Sequence, residues 1–179
     1  MISSVYIRQA GADSGSFETA LCLLERFFRE EGFSTPAQEM RASLHTMITA
    51  SDSAVFLAWR GTESVGVATV TTSVGIEYGR SAELEDLYVL PAERGRGVAS
   101  ALIEAVCAWC CEMGVSAVLA TVTPEGEKEH KLLDYYQRQG FVNTGRVILE
   151  RTLESVLKIV GYTRLYGNTT QASLPDGSE

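Results

Sequence analysis

Glu83-Leu84-Glu85-Asp86-Leu87-Tyr88-Val89-Leu90-Pro91-Ala92-Glu93-Arg94-Gly95-Arg96-Gly97-Val98-Ala99-Ser100-Ala101-Leu102 is the stretch on which the fold turns. Residues 83–90 read as a strand, Pro91 ends it, and two glycines carry the chain into a segment with apolar residues at helical spacing. Val98, Leu102, Ala105, Val106, Trp109 and Met113 form its expected inward stripe, with Ser100, Glu104 and Glu112 opposite. Gly95 and Gly97 allow the main chain to approach a ligand closely. The N–H groups of residues 95–100 include the unpaired donors of the helix's first turn. Such a turn binds anions: the helix dipole places about half a positive charge there, and Arg94 and Arg96 add two cations. Alternation along the strand fails at Glu85-Asp86, where two polar residues are adjacent, as at a β-bulge.

Outward from this segment, the chain reads as an α/β protein. Residues 3–8 form a first strand. Phe17, Ala20, Leu21, Leu24, Phe27 and Phe28 mark the apolar face of a helix that Gly32 ends. A second helix is expected to open at Thr35-Pro36-Ala37-Gln38, with Thr35 as cap and Pro36 in the first turn, and to run to about Ala50. Residues 54–60 and 64–73 flank Gly61-Thr62-Glu63 as an antiparallel hairpin. After the central helix, 116–123 reads as a buried strand and 128–139 as one helix closed by Gly140, with Phe141 in position for a Schellman contact. Residues 141–153 read as one or two further strands with a turn at Asn143-Thr144-Gly145. The spacing contains no long linker, so residues 1–165 are expected to be one domain and 166–179 a flexible tail.

Composition narrows the function. A chain of 179 residues approximates one domain at a prior of about 150 residues each. Fifteen Lys and Arg against twenty-three Asp and Glu leave a net charge of −8, which repels a phosphate backbone, so no nucleic-acid partner is expected. No run approaches the roughly 18 apolar residues of a membrane span. The first residues lack the pattern of an export signal, and the cysteines, Cys22, Cys107, Cys110 and Cys111, crowd three into one helix. A cytoplasmic, reduced protein is the expectation. Cys107 and Cys110 lack a second ligand pair, because His45 and His130 lie far off in sequence; no metal is expected, and the thiols read as small apolar side chains.

Two phosphate-binding patterns fail on spacing. No Lys stands where a P-loop needs one, and Ser100 occupies the place of a dinucleotide fingerprint's third glycine. Arg94-Gly95-Arg96-Gly97-Val98-Ala99 instead resembles the signature of the GNAT acetyltransferase superfamily: Arg or Gln, two residues, Gly, one residue, then Gly or Ala. Leu132-Leu133-Asp134-Tyr135-Tyr136-Gln137-Arg138-Gln139-Gly140-Phe141 is similar to the same family's helix ending in Tyr, three residues and Gly-Phe. The resemblance implies a mixed, mostly antiparallel sheet with strands four and five splayed and helices on both faces. It implies acetyl-CoA as co-substrate, with Leu87, Tyr88 and Val89 holding the pantetheine arm by main-chain hydrogen bonds. The diphosphate would lie on Arg94, Gly95, Arg96, Gly97, Val98, Ala99 and Ser100.

The reaction so implied is transfer of an acetyl group to a primary amine by direct attack in a ternary complex. Tyr136, whose ordinary pKa is about 10, is the expected acid for the departing thiolate. Glu85 is the first candidate for base, with Glu83 and Asp86 beside it as acids that attract a cationic amine. Where many family members carry Asn, this chain has Glu129, so the resemblance implies that either Glu129 or His130 substitutes or that no residue does. The Glu85-Asp86-Leu87 context is similar to diamine acetyltransferases, and Phe27-Phe28-Arg29-Glu30-Glu31-Gly32 resembles a segment of some aminoglycoside acetyltransferases. A polyamine, an aminoglycoside or an amino-acid amine is therefore the expected acceptor. The alternatives kept beside this reading are a catalytically silent acyl-CoA-binding or sensing module, a partner-binding homodimer subunit, and a protein lysine or N-terminal acetyltransferase.

Overall fold

A five-stranded sheet in the order β1-β2-β3-β4-β5 organises the molecule. The computed structural model describes residues 4–149 and 151. The strands are β1 (Val5–Gln9), β2 (Ser53–Arg60), β3 (Glu63–Gly75), β4 (Gly79–Val89) and β5 (Ala117–Ala120). The first four pair antiparallel as neighbours, and β4 with β5 is parallel. Helices α1 (Ser14–Glu30), α2 (Ala37–Thr49), α3 (Val98–Glu112), α4 (Pro124–His130) and α5 (Leu132–Arg138) complete the described elements, with a short 3-10 turn at Pro91–Glu93. This is the mixed α/β architecture expected from the sequence.

The sheet has apolar side chains on both faces, as a layer covered twice must. On one face, Val55, Leu57, Val67 and Tyr88 meet Leu21, Leu24, Met40 and Leu44 of α1 and α2. On the other, Phe56, Ala68, Val70 and Leu84 meet Val98, Leu102, Ile103, Val106 and Cys110 of α3. Burial of α3 therefore matches the expected stripe at Val98, Leu102 and Val106, and adds Ile103 and Cys110. Only Cys110 of the four thiols is buried; Cys107 is half-buried, and Cys22 and Cys111 are exposed, so the small-apolar reading holds for the inner pair alone. Gly66 marks the tightest approach: a Cβ there would lie 2.8 Å from the Tyr88 carbonyl oxygen and 3.2 Å from Leu102.

Several boundaries differ from expectation for physical reasons. Asp13, for which no capping role was expected, caps α1 by accepting from the Ser16 N–H at 2.9 Å. Thr35 does not cap α2; Pro36 occupies the cap position without a side-chain bond and the helix begins at Ala37. β5 is shorter and less buried than expected, with Leu119 45% exposed. The single helix expected over 128–139 is two, broken at Lys131 in the left-handed region, φ 52°. Thr123 starts the first of them, its hydroxyl accepting from the Gly126 N–H at 3.1 Å, with Pro124 in the first turn. Gly126 then lets Leu132 pack at the joint, since a Cβ would stand 2.9 Å from Leu132 Cδ1. The Schellman closure is present: Phe141 N–H donates to the Tyr136 carbonyl at 3.0 Å and the two rings are 5.1 Å apart.

The chain divides into two compact units, 1–143 and 144–179. All the elements above belong to the first. Of the strands expected over 141–153, residues 141–149 carry none, and 150, 152 and 153 lie outside the described residues. Alternation marks a stretch able to pair, but a strand needs a ladder partner, and none of the described residues provides one. The expected tail, 166–179, also lies outside the described residues. No helix among the described residues is long and apolar enough to cross a membrane.

Candidate active site

The site begins with a fault in the ladder between β3 and β4. Thr69 pairs with Asp86 and Val70 with Leu84, so Glu85 is an extra residue in β4. The bulge anticipated from Glu85-Asp86 is there, and it turns both carboxylates to one face: Thr69 Oγ1 donates to Asp86 at 2.5 Å, and Thr71 Oγ1 donates to Glu85. Thr69 and Thr71 are two apart on β3 and share a face. At the same point β4 leaves β5. Their parallel pairing covers Ser81 to Leu84 and stops. From 85 to 89 the outer edge of β4 has no strand partner among the described residues.

A cleft of about 920 Å³ opens where the strands part. Its walls are the bulge and the end of β4, the glycine turn, the first turn of α3, and α5. Gly97 is the residue before α3, at φ 79°, and no side chain caps the helix. Gly95 is likewise left-handed, at φ 73°. A Cβ on either glycine would meet nothing within 4 Å, so the backbone turn borders open space. Uncapped N–H groups at a helix start, facing a cleft, fit a bound diphosphate.

Among the residues singled out from sequence, Glu85, Asp86, Leu87, Tyr88, Val89, Arg94, Gly95, Gly97, Val98, Ala99, Ser100 and Tyr136 line this cleft. Two do not. Glu83 instead accepts from the hydroxyl of Thr121, the residue after β5, at 3.0 Å. Arg96 is paired with Glu93 at 3.2 Å and is half exposed. Of the pair expected to replace the family's Asn, His130 lines the cleft and Glu129 does not. Phe27 and Phe28, expected on the apolar face of α1, also line it, as does Phe33, which lies just beyond the end of that helix. Their distance in sequence from β4 hid this role; a run of three aromatics on both sides of a helix end was the available signal. Thr121, Thr123 and Tyr135 are further cleft residues with no sequence signal of their own.

The ionisable groups are tuned by burial. Tyr136 is pushed up to about 12, chiefly by burial and then by the neighbouring Tyr135. Burial raises Asp86 above the ordinary carboxylate range, opposed by the hydrogen bond from Thr69. Glu85 is raised by burial too, opposed by the bond from Thr71 and assisted by the charges of Glu83 and Asp86. No cluster of His, Cys, Asp and Glu among the described residues is arranged to hold a metal ion. The arrangement thus offers an anion cradle, an open strand edge, two carboxylates on one face and a protonated phenol around one cavity.

The chain is similar to known proteins in sequence and in fold. An aminoglycoside N(6')-acetyltransferase type 1 of Salmonella typhimurium is 40% identical over 68 residues, which are 38% of this chain and 45% of that protein. The chain's match therefore spans less than half the length of that curated relative. Among solved structures, an integron cassette protein from the mobile metagenome of Cole Harbour Salt Marsh is 29% identical with a TM-score of 0.71, over 82% of this chain and 90% of that one. The aminoglycoside N-acetyltransferase AAC(6')-Iy, in complex with the bisubstrate analogue CoA-S-monomethyl-acetylneamine, is 26% identical with a TM-score of 0.72, over 84% and 99%. The acetyltransferase (GNAT) family matches residues 19–141, which hold the bulge, the glycine turn and the Tyr136 helix, and the chain belongs to that family.

Proposed function

We propose that this protein transfers the acetyl group of acetyl-CoA to a primary amine of a cationic small molecule, of the aminoglycoside kind, by direct attack within a ternary complex. The observation that carries the reading is the bulge at Glu85: one extra residue opens the sheet beside an uncapped helix start and turns two acids into the opening. Acetyl-CoA supplies an acetyl group activated as a thioester. Main-chain N–H groups of 95–100 would hold its diphosphate, and the unpaired edge of β4 at Leu87, Tyr88 and Val89 its pantetheine arm. The aminoglycoside acceptor is supported by the relatives named above and by the acidic mouth of the cleft.

In the chemical step the amine nitrogen forms a C–N bond as the thioester C–S bond breaks; the amine loses a proton and the sulfur gains one. Glu85 takes the amine's proton. It is the more exposed of the two acids, so it can pass the proton to water, and its raised pKa makes it a better base than an ordinary carboxylate. Asp86, anchored from below by Thr69, holds the acceptor's positive charge. Tyr136 faces the departing sulfur. A phenol at about 12 against a thiol near 8.5 makes full proton transfer uphill by about 5 kcal/mol. Tyr136 therefore stabilises the thiolate as a hydrogen-bond donor, and the sulfur's final proton comes from the amine by way of Glu85 or water.

The test is to incubate the purified protein with acetyl-CoA and a panel of aminoglycosides, polyamines and amino-acid amines while following free thiol. Amine-dependent release, greatest with an aminoglycoside, is the expected result. Tight CoA binding with no release for any amine would overturn the catalytic reading in favour of a silent acyl-CoA-binding module.

A further inference from the structure

Glu30, in the last turn of α1, is absent from the walls of the cleft and instead lines a shallow hollow of about 440 Å³ behind Tyr88. Its carboxylate nevertheless holds two parts of the site at once. Tyr88 Oη donates to Glu30 Oε1 at 2.6 Å, and Arg94 Nη2 donates to Glu30 Oε2 at 3.1 Å. Arg94 Nε in turn donates to the Val89 carbonyl at 3.0 Å, closing a ring across the turn at Pro91–Glu93, and its guanidinium stands 5.8 Å from the centre of the Tyr88 ring. The signature arginine is thus engaged by protein groups through two of its nitrogens. Its charge is offset by Glu30, as that of Arg96 is by Glu93. Phe27, one turn back on α1, packs on Tyr88 with ring centres 5.6 Å apart and lines the cleft with Phe28.

We propose that Glu30 is a positioning residue: by gripping Tyr88 of β4 and Arg94 of the glycine turn together, it fixes the aromatic wall of α1 at a set distance from the diphosphate cradle. The inference rests on the acetyl-transfer reading and adds a coupling to it. The only described links that tie the end of α1 to both ends of the cofactor segment by side-chain hydrogen bonds run through one carboxylate. Filling the cradle orders Arg94 and Val89, and through Glu30 it orders the wall against which the acceptor lies. Occupancy of one subsite therefore tightens the other, and the effect is reciprocal.

The experiment is calorimetric, on the full-length protein, with coenzyme A and neamine as probes. Wild type is expected to bind neamine about tenfold more tightly when saturated with CoA. Glu30→Ala and Tyr88→Phe, which cut the link at its two ends, are expected to reduce that factor to within twofold of unity. Glu30→Gln, able to keep one acceptor bond, should retain part of it. Circular dichroism and melting establish that each variant is folded. A wild type that binds CoA but shows no coupling overturns the inference and leaves the acetyl-transfer reading intact, as does a Glu30→Ala protein that melts lower yet keeps the full factor. A wild type that does not bind CoA overturns both.

Discussion

Replacing Gly97 by Ala separates the cost of folding from the cost of binding. Gly97 sits at φ 79°, where a non-glycine residue costs about 1–2 kcal/mol. Its Cβ would meet no heavy atom within 4 Å, so the free protein suffers strain without collision. For a chain of this length, about 1 kcal/mol lowers the melting point by roughly 2–4 °C, so a fall of about 2–8 °C is expected in scanning calorimetry. The ligand sees something different: the empty space into which the methyl projects is where the diphosphate would approach the main chain. CoA affinity is expected to fall at least about tenfold, equivalent to about 1.4 kcal/mol, beyond the loss of stability. Gly61→Ala supplies the control. Gly61 is also left-handed, φ 63°, with nothing within 4 Å of its Cβ, but it lies in the β2–β3 hairpin away from the cleft. It should melt lower by a similar amount and bind CoA like wild type. Wild-type CoA affinity in Gly97→Ala, or an equal loss in both variants, refutes the cradle.

Other substitutions test the remaining groups. Tyr136→Phe should lower kcat about 100- to 1000-fold, the range of one lost hydrogen-bond donor to a developing charge, with CoA affinity by calorimetry nearly unchanged; undiminished turnover removes Tyr136 from the reaction. The acid limb of kcat/KM should lie above the ordinary carboxylate value of about 4.3, because Glu85 is raised by burial, and Glu85→Gln should abolish that limb along with most of the rate. Asp86→Asn should raise the acceptor KM and also raise the melting point at neutral pH. The sign follows from linkage: a carboxyl with a raised folded pKa favours the fold when protonated and loses that contribution as pH rises through the folded value, so the advantage of Asn vanishes in acid. A melting point that does not converge with wild type at low pH contradicts the burial of Asp86. Gly66→Ala forces a methyl to within 2.8 Å of the Tyr88 carbonyl oxygen and should cost about 1–3 kcal/mol, read as a lower denaturant midpoint; unchanged stability contradicts the close β3–β4–α3 approach.

Much of this arrangement could be read along the chain, and what could not has specific causes. The bulge was legible because alternation is a local rule, and Glu85-Asp86 breaks it within two residues. The helix start at Val98 was legible because Gly97 and the apolar stripe agree. The same Thr-Pro pair behaves differently at two helix starts: Thr35-Pro36 carries no cap bond, whereas Thr123-Pro124 carries both the hydroxyl acceptor and the first-turn proline. The motif identifies residues able to cap, and the path of the chain before the helix decides whether the hydroxyl reaches the N–H. The break at Lys131 was invisible because nothing in the residue type demands the left-handed region; Gly126 and Leu132, which pack at the joint, look unremarkable in sequence. Phe27 and Phe28 were legible as apolar but not as part of a cleft, and the partnership of Glu30 with Tyr88 spans 58 positions, beyond any local pattern.

The bulge also has a bearing on how such a site can change. Glu85 is the extra residue, so deleting it would make Leu84 and Asp86 consecutive opposite Val70 and Thr69, restoring an unbroken ladder with every later side chain on its present face and removing one carboxylate and the bulge itself. The chemistry is thereby recorded partly in a count of residues, and alanine replacement would leave that count intact. A single-codon deletion at 85 would therefore spare the sheet while abolishing the bulge, and scanning by deletion would find a boundary that scanning by substitution passes over.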